Sequence, residues 1–282
     1  MVASSTCLTP EQARQAGITL VPLRVSVNGH DYRDMVDVGP TELYRLLRDG
    51  VVPRTAAPTI GDYAAAFDAE PGPVVCLTVG GRISAMDDAA RLAAEAVGND
   101  GVDVIETGTA AGGLRLVALA AARLAAEGLD LEAAGRRVRD ICARVEMAGM
   151  LETVEYLARG GRVPEIAHWG SSVLKVRPVV RFQTGSGRLV TLVRSPRKGV
   201  EEMRRLVREG ARQQGAGPGG EGLACTVFHG DSLALARELH DRLCEDLPSA
   251  DLSISEMTAA MAVHVGPGVV GEAFYVDPGL AD

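Results

Sequence analysis

The sequence lacks the short motifs that carry the most common nucleotide and metal chemistries. The stretch GGRISA at residues 80–85 does not place glycines at the offsets of a G-x-G-x-x-G dinucleotide loop, and no Walker lysine occurs. The five histidines never take the H-E-x-x-H spacing, which puts two metal ligands on one helix face. We therefore expect no metal site and no nucleotide cofactor.

Cysteine pairs, excess positive charge and long apolar runs are also missing. The five cysteines are odd in number and include no C-x-x-C pair, so they predict neither a disulfide framework nor a zinc site. Lys plus Arg total 29 against 37 for Asp plus Glu, a net charge of -8 that disfavours nucleic acid as a partner. No apolar run is long enough to span a bilayer, and the N-terminus resembles no secretion signal. We expect a cytoplasmic protein without a transmembrane segment.

The residues that are present predict an α/β protein with a large core. Hydrophobic residues make up 46% of the chain and charged residues 23%, and 282 residues are enough for two domains. Strand-like and helix-like segments alternate between residues 18 and 128, which predicts a parallel sheet covered on both faces. The pattern changes near Arg177, where FQTGSGRLVTLV predicts an antiparallel hairpin.

Several elements can be placed by the signals at their ends. The capping-box pattern TPEQ at residues 9–12 predicts the start of a helix. Residues 18–26 predict one strand, followed by a turn at Asn28-Gly29. Residues 73–79 predict a strand and residues 84–97 a helix, with Ser84 as the N-cap. The loop between them presents backbone N–H groups at a helix N-terminus, which is a typical site for an anion.

Six separated blocks occur in the order found in DegV family proteins. They are VPLRVSVNGHDYRD (residues 21–34), PRTAAP (53–58), the strand-loop-helix segment (74–96), EYLARGGRV (155–163), GSSVLKVRPVV (170–180) and HVGPG (264–268). The chain therefore resembles the DegV family over nearly its whole length. The resemblance implies a two-domain α/β fold. We predict a three-layer α/β/α domain with a parallel sheet at residues 1–158 and a mixed-sheet domain at residues 159–282.

The resemblance also implies a function. DegV-like proteins act as the fatty-acid-binding subunit of bacterial fatty acid kinase. By analogy, this chain would hold a long-chain fatty acid between its two domains and present the carboxylate to a separate ATP-dependent fatty acid kinase subunit. The resemblance implies no catalytic residues in this chain, with the fatty acid as a ligand in place of a cofactor. The resemblance is also compatible with transient contact between this protein and a membrane.

The family's two carboxylate-binding hydroxyls correspond here to Thr55 and Ser84. A hydroxyl and free N–H groups at a helix N-terminus can satisfy a desolvated carboxylate, because hydrogen bonds to a charged acceptor are strong. Arg82 is a candidate for a further charged donor, and the alternative is a solvated surface arginine. His264, which we place in a glycine-rich turn near the site, is the fourth candidate.

Two basic blocks also match the family. The first consists of Arg159, Gly160, Gly161 and Arg162 and corresponds to a family block at the domain junction or pocket. Its alternative role is interdomain ion pairing. The second consists of Arg194, Arg197 and Lys198 and corresponds to a basic family block beside the pocket mouth that is implicated in contact with the kinase. Its alternative is a solvated face.

Departures from the family pattern keep a second hypothesis open. Ala56-Ala57 replace a usual Ser-Gln and Gly80-Gly81 a Ser-Ser, so the head-group network is thinner than is typical. The chain could instead be an enzyme or binder for a small anionic metabolite in the interdomain cleft. Arg82, Arg159 and Arg162 would then act as anion clamps.

Overall fold

The computed structural model describes residues 1–98, 101–161, 176–183, 186–277 and 279. The strands are β1 Val2–Ala3, β2 Leu20–Val21, β3 Arg24–Val27, β4 His30–Arg33, β5 Arg54–Ala56, β6 Val74–Thr78, β7 Val102–Glu106, β8 Glu146–Met150, β9 Arg177–Gln183, β10 Ser186–Val193, β11 Leu223–Gly230, β12 Asp251–Glu256 and β13 Val269–Val276. The helices are α1 Pro10–Gln15, α2 Pro40–Arg48, α3 Ile60–Asp68, α4 Met86–Ala96, α5 Ala111–Ala126, α6 Leu131–Arg144, α7 Glu155–Gly160, α8 Pro196–Gln213, α9 Leu233–Asp246 and α10 Ala259–Val265.

A parallel sheet organises the first part of the chain. Its strand order is β2-β1-β6-β7, and every neighbouring pair is parallel. Helices α3 and α4 cover one face through a buried cluster that includes Tyr63, Phe67 and Ala90. Helices α5 and α6 pack on the other face. The predicted three-layer α/β/α arrangement is confirmed.

A mixed sheet organises the second part, in the order β10-β9-β8-β13-β11-β12. Only β11 and β12 pair in parallel, and the predicted hairpin near Arg177 is confirmed as antiparallel β9 and β10. Helices α8 and α9 pack on one face, and α5 lies on the other, between the two sheets. Because β8 belongs to this sheet, sheet membership changes before residue 158. The division into two domains stays a prediction.

A small antiparallel sheet, β4-β3-β5, shows that the single strand predicted at residues 18–26 is wrong. The segment is divided at Pro22 into β2, which pairs with β1, and β3, which pairs with β4 and β5. Proline lacks the N–H that a continuous ladder needs. The predicted turn is confirmed, because Asn28 and Gly29 have φ angles of 51° and 83°, as a tight hairpin turn requires.

The predicted capping box at the start of α1 is confirmed. Thr9 and Gln12 form the predicted capping box of α1, and Thr59 and Asp62 form another at α3. Helix α4 begins two residues later than predicted, with Ala85 in the N-cap position. Within the described residues, no helix is both long and apolar enough to cross a membrane.

Candidate functional site

A cavity of about 260 Å³ lies between the carboxyl ends of the parallel strands and the inner face of the mixed sheet. Val79, which follows β6, contributes one wall, and Met147 and Gly149 on β8 contribute the opposite wall. Met261 of α10 also lines it. This position agrees with the rule that ligands of α/β proteins bind beyond the carboxyl ends of parallel strands.

The lining of the cavity is largely apolar. Among the residues that the structure describes, four polar side chains contribute to it, those of Ser5, Thr55, Ser84 and His264. None of the lining residues within the described ranges is a lysine, arginine, aspartate or glutamate. A cavity of this kind suits a ligand with a long apolar part and a single polar group.

Thr55 and His264 come together across 209 residues of sequence. The Thr55 Oγ1 and His264 Nε2 atoms are 2.8 Å apart, and both side chains are half-buried. The expectation that His264 lies in a glycine-rich turn is wrong, because it occupies the last turn of α10 and the turn begins only at Gly266. Gly160 lies beside the imidazole, since a Cβ atom there would be 3.1 Å from His264 Nδ1.

Ser84 lies in the cavity wall at the start of α4. Its Oγ accepts a hydrogen bond from the Met86 N–H at 3.3 Å, although Ala85 and not Ser84 is the N-cap. One N–H of the preceding loop is already occupied, because Gly81 N donates to Glu106 Oε1 at 2.7 Å. The predicted anion site is therefore partly filled by a carboxylate of the protein, and Ser84 is the group that faces the cavity.

The other predicted residues on this side are not assembled around the cavity. Arg82 is exposed and is not among the lining residues. Arg159 forms an ion pair with Glu155, one turn earlier on α7. Gly161 ends that helix with a φ of 63°, a conformation that favours glycine. Arg162 lies outside the described residues, so its role stays a prediction.

Arg194, Arg197 and Lys198, which we call the basic cluster, lie where β10 leads into α8. All three side chains are exposed, and none forms an ion pair with any other residue that the structure describes. These cations lie at the N-terminus of α8, which is the positive end of the helix dipole, and the first turn of the helix contains no acidic residue to offset them. The cluster is therefore a region of uncompensated positive charge.

Ser5 is a lining residue that the sequence analysis did not identify as a site residue. It is the second residue after β1 and is 1% exposed. The signal that could have identified it is its place at the carboxyl end of a parallel strand, where sites in such sheets are built. Within the described residues, no group of three or more His, Cys, Asp and Glu side chains could hold a metal ion.

Comparison with known proteins finds relatives over the whole length. A solved DegV family protein from Thermus thermophilus, described by its fatty acid binding, superposes with a TM-score of 0.89 at 26% identity and covers 98% of each chain. A DegV lipid binding protein from Thermotoga maritima superposes with a TM-score of 0.85 at 25% identity, covering 98% of this chain and 96% of its own.

Sequence comparison agrees with the structural comparison. A DegV domain-containing protein from Streptomyces coelicolor is 29% identical over 277 residues, which is 96% of each chain. The sequence model of the family described as "Uncharacterised protein, DegV family" matches residues 1–277. The chain therefore belongs to the DegV family.

Proposed function

We propose that this protein binds a long-chain fatty acid in the cavity and presents the carboxylate to a separate ATP-dependent fatty acid kinase subunit in the cytoplasm. The observation that carries the proposal is the composition of the cavity wall, whose described residues are apolar apart from four polar side chains. The relatives from Thermus thermophilus and Thermotoga maritima, described as fatty acid and lipid binding, support the same ligand class.

The contact between Thr55 and His264 suits an acidic head group. A carboxylate can only accept hydrogen bonds, so its protein partners must donate. If His264 Nε2 carries a proton, it donates to Thr55 Oγ1, and the threonine hydroxyl is then free to donate to the ligand. The imidazole thereby orients the hydroxyl. Ser84, at the start of α4, supplies a second hydroxyl to the cavity.

The basic cluster supports a role in contact with the kinase subunit. Strand β10 contributes Gly187 to the cavity wall and leads directly to Arg194. Glu201 and Glu202, the next acidic residues on α8, are paired with other arginines. An uncompensated positive surface favours association with a partner whose docking surface is acidic.

The alternative, a small anionic metabolite, finds less support. Such a ligand carries much of its surface as charge and would need cationic side chains in the wall, which the described lining residues do not provide. Of the proposed clamps, Arg82 is exposed and Arg159 is paired on its own helix. The cavity therefore fits an apolar chain better than a compact anion.

Native mass spectrometry of protein purified from a bacterial host tests ligand binding. We expect a bound mass that matches palmitic, stearic or oleic acid. Thr55→Ala combined with Ser84→Ala should lower that occupancy, because each hydrogen bond to a charged group contributes about 1.5 to 3 kcal/mol. The matched control is Thr41→Ala with Ser253→Ala, two hydroxyls outside the cavity lining. Protein that remains free of lipid after incubation with these acids would contradict the proposal.

Charge reversal tests the kinase contact separately. Arg197→Glu combined with Lys198→Glu should reduce ATP-dependent phosphorylation of the bound acid by a purified kinase subunit while leaving acid affinity unchanged. The control is Arg212→Glu, an exposed arginine in the last turn of the same helix. Equal phosphorylation by the double variant and the control would show that the basic cluster does not contact the kinase.

A further inference from the structure

Two neighbouring serines after β1 differ sharply in their hydrogen bonding. Ser4 Oγ donates to Asp34 Oδ2 at 2.6 Å and accepts from the Leu23 N–H at 3.0 Å. Ser5 Oγ is equally buried, yet it makes no hydrogen bond with any other part of the described chain. A buried hydroxyl without a partner is unfavourable, so it points to a partner that the protein alone does not supply.

The cavity is where that partner can lie. Ser5 lines it, whereas Ser4 does not. Val2 pairs with Leu77 in the parallel sheet, and continuing this register places Ser5 beside Gly80, at the start of the loop that leads to Ser84. Ser5 and Ser84 therefore follow the carboxyl ends of two adjacent strands, β1 and β6. This places the unpaired hydroxyl on the same side of the sheet as the proposed head-group site.

The backbone around Ser5 is held firmly. Its carbonyl accepts a hydrogen bond from the Ala111 N–H at 2.8 Å, and Ala111 has a φ of 47°. A left-handed conformation at a residue other than glycine is uncommon, and it occurs most often where a site constrains the chain. The cavity neighbours Val79, Ala110 and Ala111 offer no side-chain acceptor to the hydroxyl. The backbone that carries the hydroxyl is therefore fixed, and the hydrogen-bonding capacity of the hydroxyl is unused.

We infer that the Ser5 hydroxyl donates a hydrogen bond to the carboxylate of the bound acid, together with Thr55 and Ser84. The inference rests on the proposed function and makes it more specific. A carboxylate has two charged oxygens that accept several hydrogen bonds, whereas the neutral oxygens of an alcohol or an ester are weaker acceptors. Three donor hydroxyls in one cavity therefore select the free ionised acid over its alcohol or ester.

Ser5→Ala tests this inference in delipidated full-length protein. We expect the dissociation constant for palmitic acid to rise roughly tenfold or more, and that for hexadecanol, which has the same chain without the acid, to change less than about twofold. Thr109→Val is the matched control, because Thr109 Oγ1 is also buried without a partner in the described chain but does not line the cavity. It should change neither constant.

Thermal unfolding supplies a second measurement. Without ligand, Ser5→Ala should be at least as stable as the wild type, since it removes an unsatisfied hydroxyl, and palmitic acid should raise its melting temperature by less. Ser5→Cys, with a weaker donor of similar size, should give an intermediate affinity. Unchanged affinity for palmitic acid, or an equal loss for both ligands, would overturn the inference. Failure of the wild type to bind palmitic acid would instead overturn the proposed function.

Discussion

Within the described residues, the four polar side chains of the cavity come from four separate segments, whereas several of its apolar residues come from one sheet. Ser5, Thr55, Ser84 and His264 follow or belong to different elements, and the Thr55–His264 hydrogen bond joins distant parts of the chain. That sheet contributes apolar residues from β8, β9, β11 and β13 to the wall. Changing a polar residue should therefore alter head-group binding, whereas changing this part of the wall should alter stability and the fit of the acyl chain.

Close steric fit holds the apolar wall in place. The ring of Phe228 on β11 lies between two glycines of buried elements. A Cβ atom at Gly112 on α5 would come within 2.4 Å of Phe228 Cδ1, and one at Gly271 on β13 within 2.3 Å of Phe228 Cζ. Glycine inside a helix or strand costs stability. Its presence at both positions makes room for one aromatic ring in the cavity wall.

The largest expected effect is on this steric fit. Gly271→Ala should lower the free energy of unfolding by about 1 to 3 kcal/mol or more, because the added methyl group collides with Phe228 and with the Ala148 carbonyl oxygen, 2.7 Å away. The control is Gly149→Ala on the paired position of β8, where the nearest atom is 3.5 Å from the added Cβ. Urea unfolding should separate the two variants. Equal stabilities would show that the ring is not held by the glycine.

The polar lining should show a dependence on pH through α10, the helix that carries His264. Asp34 is 1% exposed, and its carboxylate accepts from Ser4 Oγ and from the Ala260 N–H at 2.9 Å, at the start of α10. Burial raises the pKa of the Asp34 carboxyl to about 6, although these hydrogen bonds oppose the rise. The helix is therefore attached by a titratable group at one end and contacts Thr55 at the other.

The sign of this dependence follows from where the proton binds more tightly. The folded protein holds the Asp34 proton more tightly than the unfolded chain, whose carboxyl has a pKa of about 3.9, so the free energy of unfolding falls as the pH rises from about 4 to about 6. Asp34→Asn should remove this part of the profile, on the order of 2 kcal/mol. Urea unfolding of both proteins across that range measures it. Parallel profiles would contradict the prediction.

A smaller effect is expected on ligand choice. Phe228→Leu should enlarge the cavity at its apolar wall and shift the preference towards longer acyl chains by a few-fold, since one or two methylene contacts are worth about 1 kcal/mol. Phe274→Leu is the control, because Phe274 is buried under α8 on the other face of the same sheet. Competition among saturated acids of increasing length measures the preference. A shift of the same size in both variants would point to general loosening.

The smallest effect is expected at Arg82. Because the side chain is exposed and outside the lining, Arg82→Gln should change the affinity for palmitic acid by less than about 0.5 kcal/mol. Titration of a fluorescent fatty acid into the wild type and variant checks this. A tenfold loss, not recovered by Arg82→Lys, would establish the charged clamp considered from the sequence and would show that the head-group site is not built from neutral donors alone.

Features that depend on neighbouring residues could be predicted from the sequence. The capping box at Thr9 and the turn at Asn28-Gly29 involve contacts within four residues, and both were predicted correctly. The alternation of strands and helices likewise predicted the parallel sheet. The resemblance to the DegV family identified Thr55 and Ser84, which the structure places in one cavity.

The sequence by itself therefore determined the local elements, the parallel sheet and the family. The tertiary structure decided that the strand predicted at residues 18–26 is divided at Pro22, and that His264 lies at the end of a helix in contact with Thr55. It also decided that Glu106 accepts a hydrogen bond from the Gly81 N–H and that Ser5 lines the cavity. Each of these depends on contacts between segments far apart in the chain. Such contacts leave no periodicity or spacing in the sequence, because the partner of each group is chosen only when the sheets and helices pack together.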